Sequence, residues 1–249
     1  MRRVLQEGLG LKYLNVRCRD KCNPENRILT EEGVEYSKKF LKIDKTINPF
    51  LECIGGHAVC PYLNLEKAVG KIDWFTIFRE PIDRFLSHYQ YENQYPNPPS
   101  IYEWEDQRKA PVKNLQVLYL AGRWDLEAAK QIFEEKINCF GVTSMYEQSL
   151  AKINHKLFDG KLYTQNIKKM NISEFNHKKG IKKNIEKHKD FLEEKNNLDM
   201  KLFDFVKEKW DDFSIGNKSV SGYLSKNIKR EANSILSRAF NKVYAKCVR

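Results

Sequence analysis

Apolar positions in this chain form short blocks of two kinds that take turns. Compact apolar runs, Trp74 to Phe78 and Ile137 to Thr143, are too short for helices and rich in aromatic and β-branched residues, so they predict strands. Pro49 to Ile54 is a third strand, ended by Gly55-Gly56, and residues 11–17 alternate weakly as a short edge strand. Between these runs the apolar residues recur at helical spacing. Helices are predicted at 1–9 (closed by Gly8 and Gly10), from Thr30 to Lys42, from about Leu63 to Val69, and from Pro81 onward. Ser100 caps a short helix over Ile101–Trp104, and Asp125 caps one to about Lys136. Another helix runs from near Met145 to about Leu157. The longest, Asn196 to Trp210, places Leu198, Leu202, Phe203, Phe205 and Val206 on one face. Tyr95 to Pro99 is a loop, Asn114 to Leu120 keeps no single period, Lys161–Thr164 reads as a strand, and Ile228 to Tyr244 is a further helix. Strands alternating with helices of this length predict an α/β fold with a parallel sheet flanked by helices.

Composition narrows the class. With 249 residues, 41% hydrophobic and 31% charged, the chain can build one sizeable α/β core. It has no run of about 18 apolar residues, so no membrane span is predicted. Met1 to Gly8 lacks the apolar core of a secretory signal. Cys18 and Cys22 have no second Cys/His pair beside them, so no metal site is expected, and a local disulfide there would suit only a secreted protein. Cys53 and Cys139 sit in apolar strands as small buried residues.

Charge is uneven. Residues 1–150 hold 21 Lys/Arg and 21 Asp/Glu, so the whole net +11 falls in residues 151–249. Such a region would attract a polyanion (nucleic acid, acidic glycan or membrane surface) or would be a solvated Lys-rich face.

The candidate chemistry begins at Phe75 to Tyr89. A strand ends at Phe78, Arg79-Glu80 turns, and a helix opens with Pro81 at its first position, where a missing N–H costs nothing. Arg79 therefore stands at the carboxyl end of a strand, the edge at which open α/β sheets bind ligands. Ser87 lies two turns into the helix, on the face of Arg84 and Tyr91. A guanidinium and a hydroxyl so placed can hold a phosphate.

Arg79-Glu80-Pro81, Arg84, Ser87 and Tyr89 resemble the 3′-phosphate segment of sulfotransferases that use 3′-phosphoadenosine-5′-phosphosulfate (PAPS). Ile54-Gly55-Gly56-His57, about 20 residues earlier, resembles the Gly-His of the uronyl and heparan sulfate 2-O-sulfotransferase branch and its bacterial relatives. Paired glycines let a substrate approach closely, and an imidazole past a strand end suits a general base. Phe140 to Leu150 resembles the family's late strand and helix, with Ser144 in place of the usual acid. Asn114-Leu115-Gln116, Leu120-Ala121-Gly122 and Asn197 to Phe203 match bacterial members as packing signatures.

The resemblance spans about residues 1–212 and implies a P-loop NTPase-like sulfotransferase domain, with 213–249 as a basic extension. It implies sulfuryl transfer from PAPS, leaving adenosine 3′,5′-bisphosphate (3′,5′-ADP), to a hydroxyl of a carbohydrate-type acceptor, an acidic glycan included, rather than to nucleic acid. His57 is the implied base, Arg79 and Ser87 hold the 3′-phosphate, Arg84 supports them, and no metal is required. A bacterial setting implies the cytoplasm and a eukaryotic one the Golgi lumen. The family's Lys-Thr-Gly-type loop for the 5′-phosphosulfate is not in the sequence, and Arg2-Arg3-Val4-Leu5 resembles the helix that follows it, so the loop is expected upstream of Met1. Two rivals remain: a non-catalytic polyanion-binding protein or sulfotransferase remnant, and a P-loop kinase, for which the Gly-x4-Gly-Lys-Ser/Thr loop is not present.

Overall fold

The computed structural model describes residues 5, 9, 13–15, 52–56, 59–95, 97–108, 112–160, 162 and 185–211. These residues form a mixed α/β structure with eight α-helices and two pairs of parallel strands. In chain order the elements are β1 (Tyr13–Asn15), β2 (Cys53–Gly55), α1 (Glu66–Val69), β3 (Trp74–Phe78), α2 (Pro81–Glu92), α3 (Ile101–Asp106) and α4 (Leu115–Ala121). Then come α5 (Leu126–Lys136), β4 (Ile137–Val142), α6 (Tyr146–Phe158), α7 (Lys189–Lys195) and α8 (Asn197–Asp211).

β1 pairs with β2 and β3 with β4, both parallel. The β3–β4 register runs from Trp74 opposite Ile137 to Phe78 opposite Val142, with one irregularity that passes over Asn138. There the Asn138 Oδ1 accepts from the Trp74 N–H at 2.8 Å, replacing the ladder bond that the bulge removes.

Each face of β3–β4 carries its own core. On one face Cys139 packs with Leu150, Ile153 and Phe158 of α6 and with Tyr13 and Cys53 of the first strand pair. A Cβ on Gly141 would stand 2.3 Å from the Cβ of Ser149, so α6 approaches this closely only over a glycine. The other face buries Phe78 and Val142 against Val117 and Leu120 of α4, Ala129 and Phe133 of α5, and Leu202, Val206 and Trp210 of α8. A third cluster joins Ile82, Phe85 and Leu86 of α2 to Ile101 and Trp104 of α3 and to Leu192 of α7. Full burial of a side chain such as Phe85 or Leu86 contributes roughly 1.5–3 kcal/mol.

Sequence and structure differ in instructive places. The helix expected at 63–69 is split into a 3-10 turn (Pro61–Leu63) and α1, because Asn64 between them is left-handed at φ 50°. The apolar stretch at Asn114 is a helix, α4. Leu162 belongs to no strand: the Asn154 carboxamide bonds both its N–H (2.8 Å) and its carbonyl (3.1 Å), taking the place of a neighbouring strand. The helix expected from Thr30 to Lys42, the Cys18/Cys22 pair, the basic extension 213–249 and the helix from Ile228 lie outside the described residues. No helix among the described residues is long and apolar enough to cross a membrane.

Candidate anion-binding site at the end of β3

The turn after β3 is built by Glu80 and Pro81. Glu80 is the N-cap of α2, and its carboxylate accepts from the N–H groups of Ile82 (3.2 Å) and Asp83 (2.6 Å). Burial raises the Glu80 pKa, against the pull of those two bonds and of Arg79. Pro81 occupies the first helical position, as its fixed φ favours.

Arg79, half-buried, leaves the strand with its backbone fully engaged. Its N–H donates to Gln116 Oε1 at 2.9 Å, and its carbonyl accepts from Gln116 Nε2 at 2.9 Å. Among the described residues neither the Arg79 guanidinium nor the Ser87 hydroxyl has a hydrogen-bond or ion-pair partner. Both expected ligands of the 3′-phosphate thus remain open to an outside acceptor on one strand–turn–helix unit.

Arg84 has a different task. Its guanidinium donates to the Val112 carbonyl at 2.6 Å and to Asn196 Oδ1 at 3.3 Å, and its Nε lies 3.8 Å from Asp199 Oδ2. Asp199 is completely buried and accepts from the N–H groups of Gln116 (3.1 Å) and Val117 (2.8 Å), the second and third residues of α4. In return, Asn114 Oδ1 accepts from the N–H groups of Leu198 (3.0 Å) and Asp199 (3.1 Å) at the start of α8. The two helices therefore cap each other, satisfying donors that helix geometry leaves open. Burial raises the Asp199 pKa, opposed by Arg84 and the two N–H bonds. Arg84 thus braces the corner between α2 and α8.

Matched against protein-family models, curated proteins and solved structures, the chain shows no match.

His57, the expected base, lies outside the described residues; the strand leading to it is β2, and Gly56 beyond it has φ 153°. Arg79 and Ser87 thus belong to one strand–turn–helix unit, β3 to α2. Ser144 is exposed in a 3-10 turn (Thr143–Met145). Cys53 is an inert thiol, pushed up to about 12 by burial and by Glu52. Among the described residues no group of three or more His, Cys, Asp or Glu could hold a metal ion.

Two residues of this corner escaped the sequence reading as anything but packing. Gln116 lies between Leu115 and Val117 in an apolar run, and Asp199 falls in the first turn of α8, where an acid ordinarily serves its own helix. A polar residue inside an apolar run, with no local partner in the sequence, is the signal that could have marked Gln116.

Proposed function

We propose that this chain is a PAPS-dependent sulfotransferase of the P-loop-like fold, acting on a hydroxyl of a carbohydrate-type acceptor. The observation that carries the proposal is the unengaged pair, Arg79 and Ser87, at the carboxyl end of a parallel strand. A guanidinium and a hydroxyl are the right donors for a phosphate monoester, whose oxygens are strong acceptors. The 3′-phosphate is what separates PAPS and 3′,5′-ADP from ordinary adenosine nucleotides.

In the reaction the acceptor oxygen attacks sulfur, the bond from sulfur to the bridging oxygen of the 5′-phosphate breaks, and 3′,5′-ADP leaves. His57 takes the acceptor proton. Arg79 and Ser87 hold the donor by its distal phosphate, so their binding energy positions the sulfuryl group without touching it.

Calorimetry with 3′,5′-ADP and adenosine 5′-phosphate tests this. The first should bind more tightly, and Arg79→Ala should weaken it by about 1.5–3 kcal/mol, one charge-assisted contact, while sparing the second. Equal affinities for the two nucleotides would refute the assignment and leave the polyanion-binding reading. That rival draws on residues other than 185–211, which carry six Lys against eight Asp/Glu.

A further inference from the structure

Gln116 holds Arg79 by both backbone groups, at 2.9 Å each, and is itself fixed through its own N–H to the buried Asp199. A carboxamide presents a donor and an acceptor side by side, as a neighbouring strand does, so it extends the β3 pairing by one residue. Arg79 is the residue at which a strand becomes a turn, where backbone pairing would otherwise stop. Its guanidinium has no hydrogen-bond partner among the described residues, and its nearest recorded charge is the adjacent Glu80, so what the two Gln116 bonds fix is the point from which the side chain extends.

We infer that Gln116 is the positioning residue of the anion site: it fixes the Arg79 backbone, and with it the point from which the guanidinium reaches a phosphate. This rests on the nucleotide reading above and adds to it the source of selectivity for a 3′-phosphate. A guanidinium on a loose turn would still attract anions, but it would not distinguish one phosphate position from another. The contrast within the molecule is Asn154, whose carboxamide makes the same two bonds to Leu162. Leu162 is a buried apolar residue of the core, so there the device secures packing alone.

The test uses the 249-residue chain and Gln116→Met, which keeps side-chain length and removes both bonds. Three measurements are made on each protein: affinity for 3′,5′-ADP, affinity for adenosine 5′-phosphate, and hydrogen exchange at the Arg79 N–H. In the variant the Arg79 N–H should lose protection and 3′,5′-ADP should bind about tenfold more weakly, the size of a net hydrogen bond or two, with adenosine 5′-phosphate unchanged. Unprotected Arg79 with wild-type discrimination would overturn the positioning role and leave the nucleotide reading standing. Equal weakening of both nucleotides would make Gln116 a packing residue only. A wild-type chain that does not discriminate would overturn the nucleotide reading, and this inference with it.

Discussion

At the end of β3 the chain is held by hydrogen bonds reaching in from distant helices, whereas at the end of β2 it is held by shape. Arg79 is gripped by Gln116, which depends on Asp199, which in turn faces Arg84. Gly55 instead lies under the ring of Tyr13, where an added Cβ would stand 3.0 Å from the hydroxyl and 3.2 Å from Cε2. Tyr13 is 1% exposed and has little room to yield. At the first end the residues that cannot be exchanged are polar side chains far away in sequence. At the second they are the glycines themselves.

The largest effect tests whether the β2 end carries chemistry as well as shape. In the protein carrying the expected upstream loop, His57→Ala should lower sulfuryl-transfer turnover roughly 10²–10⁴-fold, while 3′,5′-ADP affinity stays near wild type, because a base faces the acceptor. Steady-state kinetics with parallel calorimetry checks it. Unchanged turnover would leave Gly55-Gly56-His57 as a turn and no more.

Next is Asp199→Ala, which strikes the hydrogen-bonded end. It uncaps α4, orphans the Gln116 and Val117 amides and removes the carboxylate that faces Arg84, a loss of about 3–5 kcal/mol. Against a typical total of about 5–15 kcal/mol, that brings the chain close to unfolding. Urea denaturation should show a large fall in midpoint. A shift under about 1 kcal/mol, the scale of an exposed ion pair, would mean the corner stands on apolar packing alone.

Much of the β3 end was legible in sequence. Pro81 after a strand, Ser100 before Ile101, and Asp125 before an apolar period are local signals, and the structure has α2, Ser100 capping α3 (with Glu103 completing a capping box), and Asp125 accepting from Ala128. The brace beneath was not legible, because its bonds join residues 82 to 85 positions apart. Asn114 has no side-chain bond to its own helix and serves α8, so no reading of its neighbours exposes the role. The bulge at Asn138 was hidden likewise, since a strand pattern does not tell which residue its partner passes over. α7 went unassigned because its seven residues bury only Leu192, too little to set a period.

A smaller effect returns to the β2 end. Gly55→Ala should cost about 1 kcal/mol through overpacking against Tyr13. Thermal unfolding checks it; a gain in stability would show that the ring can move aside.

The smallest concerns pH at the β3 end. Burial raises the Glu80 pKa in the folded state, so its contribution is complete below the ordinary glutamate value of about 4.3 and is lost as pH rises through the folded value. Glu80→Gln removes that titration. Wild-type stability should therefore decline relative to the variant as pH climbs from about 4.3 through the folded value, and a wild-type gain over the same interval would reverse the sign.

The exchange of caps between α4 and α8 also bears on the order in which the chain is made. A ribosome releases Arg79, Arg84 and the start of α4 long before Asp199 exists. During that interval the Gln116 and Val117 amides have no capping carboxylate, and Arg84 has no counter-charge. Closing a segment of about 80 residues has an entropic cost that grows only slowly with length, so the delay is one of synthesis rather than of search. A nascent chain halted before residue 199 would carry β3 and α2 with the corner unclosed, and a protease would find in that stretch what it cannot find in the finished protein.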